Sequence, residues 1–440
     1  MANTYNFLKT VSGWVNQQNR LHPLLLPIVL VLACIPMAYS VNSVALGIFV
    51  FSTLFFFKKQ DAHFEFNLLL PVLLYALMAL SVFWSIDLSE TVPSLSKELP
   101  LLIIPVCFIL FRALTDDIRQ NIIRYYGIAM FAFCIFYLVK AAVRFAVSGD
   151  PVVFFYHQLV TEDVNAIHVS VYFSVAFFHF FTRLAKSIFD KIAAGLLFVT
   201  VFLLSSKNVI GIFILLIAIY FLFYSGITKK TRIVSLLAFV VFIVGLAFVP
   251  QINQRFKIES STVLHDNTVN HQIGDGNIHN ISVSQAWNNK AFTPNDYFPG
   301  TAFRVYQFRI FLELMQEDCA WLTGYGLNAS YSKIEKKTLS YNLFSGDAIR
   351  AGYQKKNFHD QYIQNFAELG IFGFLLLVAM LWINIKNAVK SKDFVHISFA
   401  VLMISLFLTE SFLWRQRGVT FFTMMYCLFN AYGHKKAENL

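Results

Sequence analysis

Apolar residues in this chain fall in long runs separated by short polar breaks. Twelve runs read as membrane helices: about 24–39, 41–57, 67–84, 99–112, 122–147, 165–182, 191–206, 208–224, 232–250, 362–385, 395–412 and 417–432. A spanning helix needs about 20 mostly apolar residues, and tilt or burial in a bundle relaxes that length. The breaks at 39–41 and 206–208 are narrow, so the helices on either side abut. The pattern predicts an all-α polytopic membrane protein with about 12 transmembrane helices and one large outer loop between helices nine and ten. Residues 1–250 then carry helices one to nine, 251–361 the loop, and 362–440 the last three.

Composition agrees. Hydrophobic residues make up 57% of the chain and charged residues 14%, against about 25% charged in soluble domains. The mean hydropathy is +0.59. The net charge of +10 raises the question of nucleic acid, but the placement of the charges answers it. With the N-terminus in the cytoplasm, each inner connection is basic: Lys9 and Arg20; Lys58 and Lys59; Arg112, Arg119 and Arg124; Arg183, Lys186 and Lys191; Lys229, Lys230 and Arg232; Lys386, Lys390 and Lys392; Lys435 and Lys436. The short outer connections and helix ends hold only Lys97, Lys140, Arg144, Lys207, Arg415 and Arg417. This is the positive-inside pattern, so the basic excess reports topology and no nucleic-acid partner is expected. Four cysteines lie in apolar runs and only Cys319 in the polar loop, which predicts no disulfide framework. The first apolar run lacks a small-residue cleavage site and reads as a signal anchor.

The loop of 111 residues, 251–361, is the outlier. Loops beyond about 15 residues are usually functional or disordered. Residues 260–300, with "HDNTVNHQIGDGNIHN", show no periodicity and read as flexible. His265, His271 and His279, with Asp266 and Asp275, stand at spacings that match no metal-ligand pattern. Residues 303–315, "FRVYQFRIFLELM", read as a helix with an apolar stripe of Val305, Phe308, Leu312 and Met315. Arg304 and Arg309 flank that stripe, which suits a helix lying on the membrane surface.

Charges at the edge of a helix bundle are functional candidates. The outer-face set is Lys207, Arg304, Arg309, His359, Glu368, and Arg415 with Arg417. Cations gathered at one face can hold phosphate, Arg through a bidentate fork and Lys as a point charge. Each also has a plain structural reading. Lys207 can snorkel, Arg304 and Arg309 can hold a surface helix on anionic lipid, and Arg415 and Arg417 can bracket the last outer turn. In "KKNFHDQYIQNFAELG", Asn357 or Asp360 can cap the tenth helix, and His359 is either part of that start or a proton acceptor. No nucleophile motif, phosphate loop or paired metal-ligand motif is visible.

Three stretches together resemble the O-antigen ligase and O-antigen polymerase superfamily. "LSVFWSIDLSETVPSLSKELPLLIIP" (80–105) is similar to the family's Trp-Ser pair and the short outer connection after it. "FLLSSKNVIGIFILL" (202–216) is similar to its Ser-Arg segment, with Lys207 where Arg is usual. From Arg304 to Gly373 run an Arg that opens a helix, a Gly-x-Gly turn at 324–326, and a His followed by a Glu-x-Gly-x-x-Gly helix start. Asp360 stands where Asn is usual and Phe308 where Trp is common. The gap from Arg304 to Gly324 is slightly long, which leaves Arg309 as the alternative functional arginine.

The resemblance implies a glycosyltransferase of the bacterial inner membrane, with both termini cytoplasmic and the loop periplasmic. Its donor would be a glycan on undecaprenyl diphosphate. A ligase passes the glycan to the lipid A core and a polymerase to another lipid-linked repeat, while a protein O-oligosaccharyltransferase uses a different acceptor. None requires a nucleotide sugar, metal or other cofactor. Under this reading His359 is the general base or acceptor-orienting group. Lys207 and Arg304, with Arg309 in reserve, bind the diphosphate. Asp360, Glu368, Lys97, Arg415 and Arg417 are secondary candidates. A secondary transporter is the rival class, but such chains often show two similar halves with midplane charge. Here the charges gather at one face and no repeat is apparent.

Overall fold

The computed structural model describes residues 2–431 apart from 112, 205, 247–252, 254–256, 259, 264, 267, 271–277, 348–350 and 355. Of the residues singled out in the sequence, Arg112, His271, Asp275, Lys435 and Lys436 lie outside the described set. The helices of the bundle are α1 (Ala2–Leu21), α2 (Leu25–Cys34), α3 (Tyr39–Phe55), α4 (Phe66–Leu80), α5 (Leu88–Glu98), α6 (Pro100–Ile109), α7 (Asp116–Ser148), α8 (Ala166–Thr182), α9 (Ile188–Leu203), α10 (Lys207–Ile219) and α11 (Lys229–Leu246). The long connection adds α12 (Val283–Asn288), α13 (Gly300–Glu317) and α14 (Tyr331–Ser340). The chain closes with α15 (Gln361–Ser391), α16 (Phe394–Phe407) and α17 (Gln416–Asn430).

A helix occupies each of the twelve apolar segments, including both sides of the two narrow breaks. Among the described residues, five stretches are long and apolar enough to cross a membrane: Phe66–Phe83, Leu88–Ile109, Asp116–Ser148, Lys207–Tyr224 and Gln361–Ser391. Leu25–Cys34, Tyr39–Phe55, Ala166–Thr182 and Phe394–Phe407 are apolar but shorter. At about 1.5 Å per residue, α2 rises only about 15 Å, half of a hydrocarbon core of about 30 Å. The candidate span at the fourth apolar run reaches back to Leu88, because the connection before it is itself helical. Asp87 caps α5, and Pro100 opens α6 directly behind it. Side-chain caps start other helices too: Thr115 at α7, Asn165 at α8, a Ser187–Asp190 capping box at α9 and Asp393 at α16. Each satisfies backbone N–H groups that have no helical partner. Residues α8 and α17 present to their neighbours are buried around nearly the whole circumference, so these two helices form the centre of the bundle.

The long connection departs from expectation in two ways. Residues 278–300 are not structureless. β2 (His279–Asn280) pairs antiparallel with β1 (Thr268–Val269) and parallel with β3 (Asp296–Tyr297), and α12 follows under its own Ser282–Gln285 capping box. The second departure concerns α13, which is helical as predicted but buries another face. Phe303, Tyr306, Ile310, Phe311, Leu314 and Met315 are buried, while Phe308 is 41% exposed and Val305 and Leu312 are half-buried. Only Met315 belongs to both faces. The helix packs inward on a second apolar core built by the connection itself, with Phe292, Phe298, Ile334, Leu343 and Phe358. Tertiary partners, rather than the widest apolar stripe, chose the face.

A broken helix fastens this second core to the bundle. Inside α15, Gly370 has φ 64° and ψ −161°, so two helices meet there at a kink. The Ile371 N–H, which would have bonded to Ala367, donates instead to Trp321 O at 3.0 Å. The carbonyls of Ala367 and Glu368 are then open, and they accept from Tyr325 N at 2.9 Å and Gly326 N at 2.8 Å. The Gly-x-Gly turn thus takes over helical hydrogen bonds that the kink releases. Its other side meets the Trp-Ser segment. Trp84 Nε1 donates to Thr323 O at 2.9 Å, Leu327 N to Ser81 Oγ at 3.0 Å, and Thr91 Oγ1 to Leu327 O at 2.6 Å.

A side chain at Gly370 meets two obstacles: the positive φ, and a Cβ that would overlap the carbonyl of Leu322. Strained backbone of this kind costs about 1–3 kcal/mol before the overlap is counted. Gly370→Ala is therefore expected to lower the thermal unfolding midpoint of the detergent-purified chain by several degrees. An unchanged midpoint would show that the kink tolerates a side chain.

Candidate functional site

The end of α16 gathers the site. The last carbonyls of a helix have no helical partner and carry the negative pole of its dipole. Here they are taken up from three directions. Tyr362 Oη, from the first turn of α15, donates to Ile404 O at 3.0 Å. Asn208, in the first turn of α10, donates to Ser405 O at 2.8 Å and to Thr409 Oγ1 at 2.7 Å, and Ser405 Oγ donates back to it at 2.7 Å. Just beyond the helix, Thr409 O accepts from Arg304 Nε and Nη2 of α13 at 2.9 and 2.5 Å. Arg304 Nη1 also donates to Gly300 O at 3.0 Å. Elements far apart in sequence thus converge on six residues.

His359 arrives by a separate device. Asp360 caps α15 by accepting from Ile363 N at 2.9 Å. Asn357 Oδ1 accepts from the His359 N–H at 3.0 Å, and His359 sits at φ 49°, a conformation uncommon for a residue with a side chain. The imidazole packs edge-on to Phe303 and turns Nδ1 toward Glu410 Oε2 at 3.7 Å. Burial pushes the Glu410 carboxyl upward. The nearby His359 and the charge of Arg304 outweigh burial and hold it below the usual carboxylate range. Asp360 goes the other way: burial raises it, against the cap N–H groups and the charge of Arg304.

Lys207, Arg304 and His359 line one cavity of about 810 Å³, together with Glu410 and Lys356. That size lies within the range of small-ligand sites, about 300–1,000 Å³. Among the described residues, its charged wall is three cations and one carboxylate. Tyr297, Phe298, Phe303 and Tyr353 supply flat aromatic faces.

The other candidates lie elsewhere. Arg309 donates to Glu313 at 2.9 Å, to Asn289 O at 2.8 Å and to Tyr341 Oη at 2.8 Å, and lies over the Tyr341 ring. It is a fastener of the second core. Arg417 is buried, donates to Met37 O at 2.9 Å and to Asp163 O, and stacks on Tyr39, which ties α17 to the α2–α3 turn. Arg415 and Lys97 both lie over Trp414. Glu368 is buried on α15 and bonded to Gln364, beside a void of about 20 Å³ that Lys97 and Glu98 also line. Asp360 is the helix cap foreseen in the sequence and borders a neighbouring groove.

Glu410, Lys356, Asn208 and Thr409 also line the cavity and are not among the sequence candidates. Glu410 fell inside the eleventh apolar run, where an acidic residue in "LFLTESFLW" was the available signal. Lys356 lay unnoticed in "KKNFHD".

No curated protein matches the chain. Residues 192–378 match a protein family described as "O-Antigen ligase". The matched stretch runs from α9 through the long connection into α15, and so contains Lys207, Arg304, Lys356 and His359. The match supports the resemblance carried by the sequence motifs, over residues 192–378 of the 440.

Proposed function

We propose that the cavity at the end of α16 transfers a glycan from undecaprenyl diphosphate to an acceptor hydroxyl at the periplasmic face of the inner membrane. The observation that carries this reading is the convergence of Lys207, Arg304, His359 and Glu410 on one cavity. The acceptor oxygen attacks the anomeric carbon from the side opposite the diphosphate. A carbon–oxygen bond forms, the bond to the diphosphate oxygen breaks, and the anomeric centre inverts. The leaving diphosphate gains negative charge, which Lys207 and Arg304 neutralise, with Lys356 near. Thr409 O and Gly300 O fix the Arg304 fork in advance, so little reorganisation accompanies the step.

The acceptor proton goes to His359. Nδ1 faces Glu410, so Nε2 is the nitrogen that meets the acceptor. Glu410 acts as a positioning residue: its carboxylate orients the ring and stabilises the imidazolium once the proton arrives. The family description favours ligation to the lipid A core as the acceptor step.

His359→Ala is expected to reduce transfer in membranes by about 10²–10⁴-fold; near wild-type transfer would remove it from the chemistry. Lys207→Arg should remain active and Lys207→Ala should not, and unchanged donor use by the alanine variant would take Lys207 out of the site. Glu410→Gln is expected to lower kcat about tenfold with the donor KM unchanged, and Glu410→Asp to recover part of that loss. Equal losses in both variants, with less folded protein in the membrane, would make Glu410 merely structural. In a deletion strain, a gel of surface glycans should lose all lipid A-attached polymer while lipid-linked polymer accumulates. A single attached repeat would instead assign the polymerase step.

A further inference from the structure

Glu98 and Glu368 are buried carboxylates that the transfer reading leaves unused. Each lies in a stretch long and apolar enough to cross a membrane, and each is 5% exposed. They line one void of about 20 Å³, room for a single water. Other carboxylates of the fold are paired, as Asp190 is with Arg183 and Glu313 with Arg309. Among the described residues, no cation pairs with Glu98 or Glu368. Lys97 is exposed, with its ammonium over the Trp414 ring at 5.5 Å. Two carboxylates buried in this way are costly unless a positive charge joins them.

The hydrogen bonds around the void say which positive charge fits. Leu413 N donates to Gln361 Oε1 at 2.7 Å, so Gln361 Nε2 is the donor to Asn365 Oδ1 at 2.7 Å. That orders the Asn365 amide and leaves its Nδ2 over. Asn365 Nδ2 and Glu98 Oε2 are buried without a partner among the described residues, and both residues line the void. One is a donor and the other an acceptor, so one water can bridge them. A hard metal ion needs several oxygen ligands. The amide oxygens at the void are already taken: Gln361 by Leu413 N, Asn365 by Gln361, Gln364 by Phe358 N and Asn328 by Trp414. Gln364 Nε2 donates to Glu368 Oε1. The two carboxylates therefore face amide donors, and a proton is the cation that needs no further ligands.

We infer that Glu98 and Glu368 share one proton through a water in this void, and that the shared proton ties α5 to the first half of α15. Two like-charged carboxylates in one site hold such a proton as a pair. The tie lies where α5, the Gly-x-Gly turn and the kink meet. Thr91 donates to Leu327 O at 2.6 Å, Glu90 accepts from Asn328 Nδ2 at 3.0 Å, and Glu368 O accepts from Gly326 N at 2.8 Å. The other titratable or charged groups that face the pair are Lys97 and Glu90 on α5, Tyr75 on α4, Tyr331 on α14, and Arg415 beyond Trp414. The folded chain then holds a proton that the unfolded chain releases near neutral pH, so this stabilisation is lost as pH rises and the pair ionises. Nothing in the inference depends on the transfer reading of the large cavity.

The test is infrared difference spectroscopy of the full chain in phospholipid, recorded between neutral and alkaline pH. As pH rises, the wild type is expected to lose a carboxylic-acid C=O band that shifts in heavy water. Glu98→Gln and Glu368→Gln should each remove that band, because either change ends the sharing. Glu98→Gln also keeps the shape and neutrality of a protonated acid. Its thermal unfolding midpoint at neutral pH should match the wild type and should fall less at alkaline pH. A wild type without the band, or a band that persists in both variants, would overturn the inference. So would a wild-type midpoint that rises when sodium chloride replaces choline chloride, with the rise abolished by Glu98→Gln, since that result assigns the void to a metal ion.

Discussion

The spare carbonyls at the end of α16 are the constraint on which the site depends. A helix that stops inside a protein must find partners for its last carbonyls, and water is scarce in an apolar bundle. Here the partners are the side chains that define the cavity or stand next to them. Asn208, the residue after Lys207, bonds Ser405 O, Arg304 bonds Thr409 O, and Tyr362 anchors the start of α15 just after His359. The helix dipole adds a modest pull on the Arg304 cation, typically below about 1 kcal/mol at exposed termini. Loss of Tyr362 or Arg304 would leave a half-buried carbonyl short of a hydrogen bond, at up to about 1–3 kcal/mol. Stability and assembly of the site are therefore linked.

A similar exchange holds the long connection in place. The Gly370 kink gives up helical hydrogen bonds, and the Gly324–Gly326 turn and Trp321 take their places. The glycines are placed for closeness. A side chain at Gly326 would collide with Ser85, so the connection meets the Trp-Ser segment backbone to side chain. Two breaks in helical regularity, one at the end of α16 and one inside α15, thus give the connection its attachment to the bundle. His359 and Arg304 both line the cavity at the end of α16.

The division of labour among the arginines follows. Arg304 and Arg309 are five residues apart on one helix, which places them on different faces. Arg309 spends its fork on Glu313, Asn289 O and Tyr341, within the second core. Arg304 has its fork on α16 and borders the cavity. The two look alike in sequence because each flanks the same apolar stripe, and that stripe is not the face that packs.

What the sequence determined by itself was local. Runs of apolar residues specify helices wherever backbone polar groups must be satisfied within the segment, and among the described residues each of the twelve runs holds a helix. The caps at Asp360, Ser187 and Asp393 are likewise written in neighbouring residues. Lys207, Arg304 and His359 stood out because charge in or beside apolar sequence is costly. Tertiary structure alone decided the rest. It chose the buried face of α13, folded residues 278–300, turned Arg309 and Arg417 into fasteners, and brought Glu410 to His359 across 51 positions of chain. The physical reason is that helix formation depends on contacts within a few residues. Which side chains share a cavity depends on where helix ends meet, and no local pattern encodes that meeting.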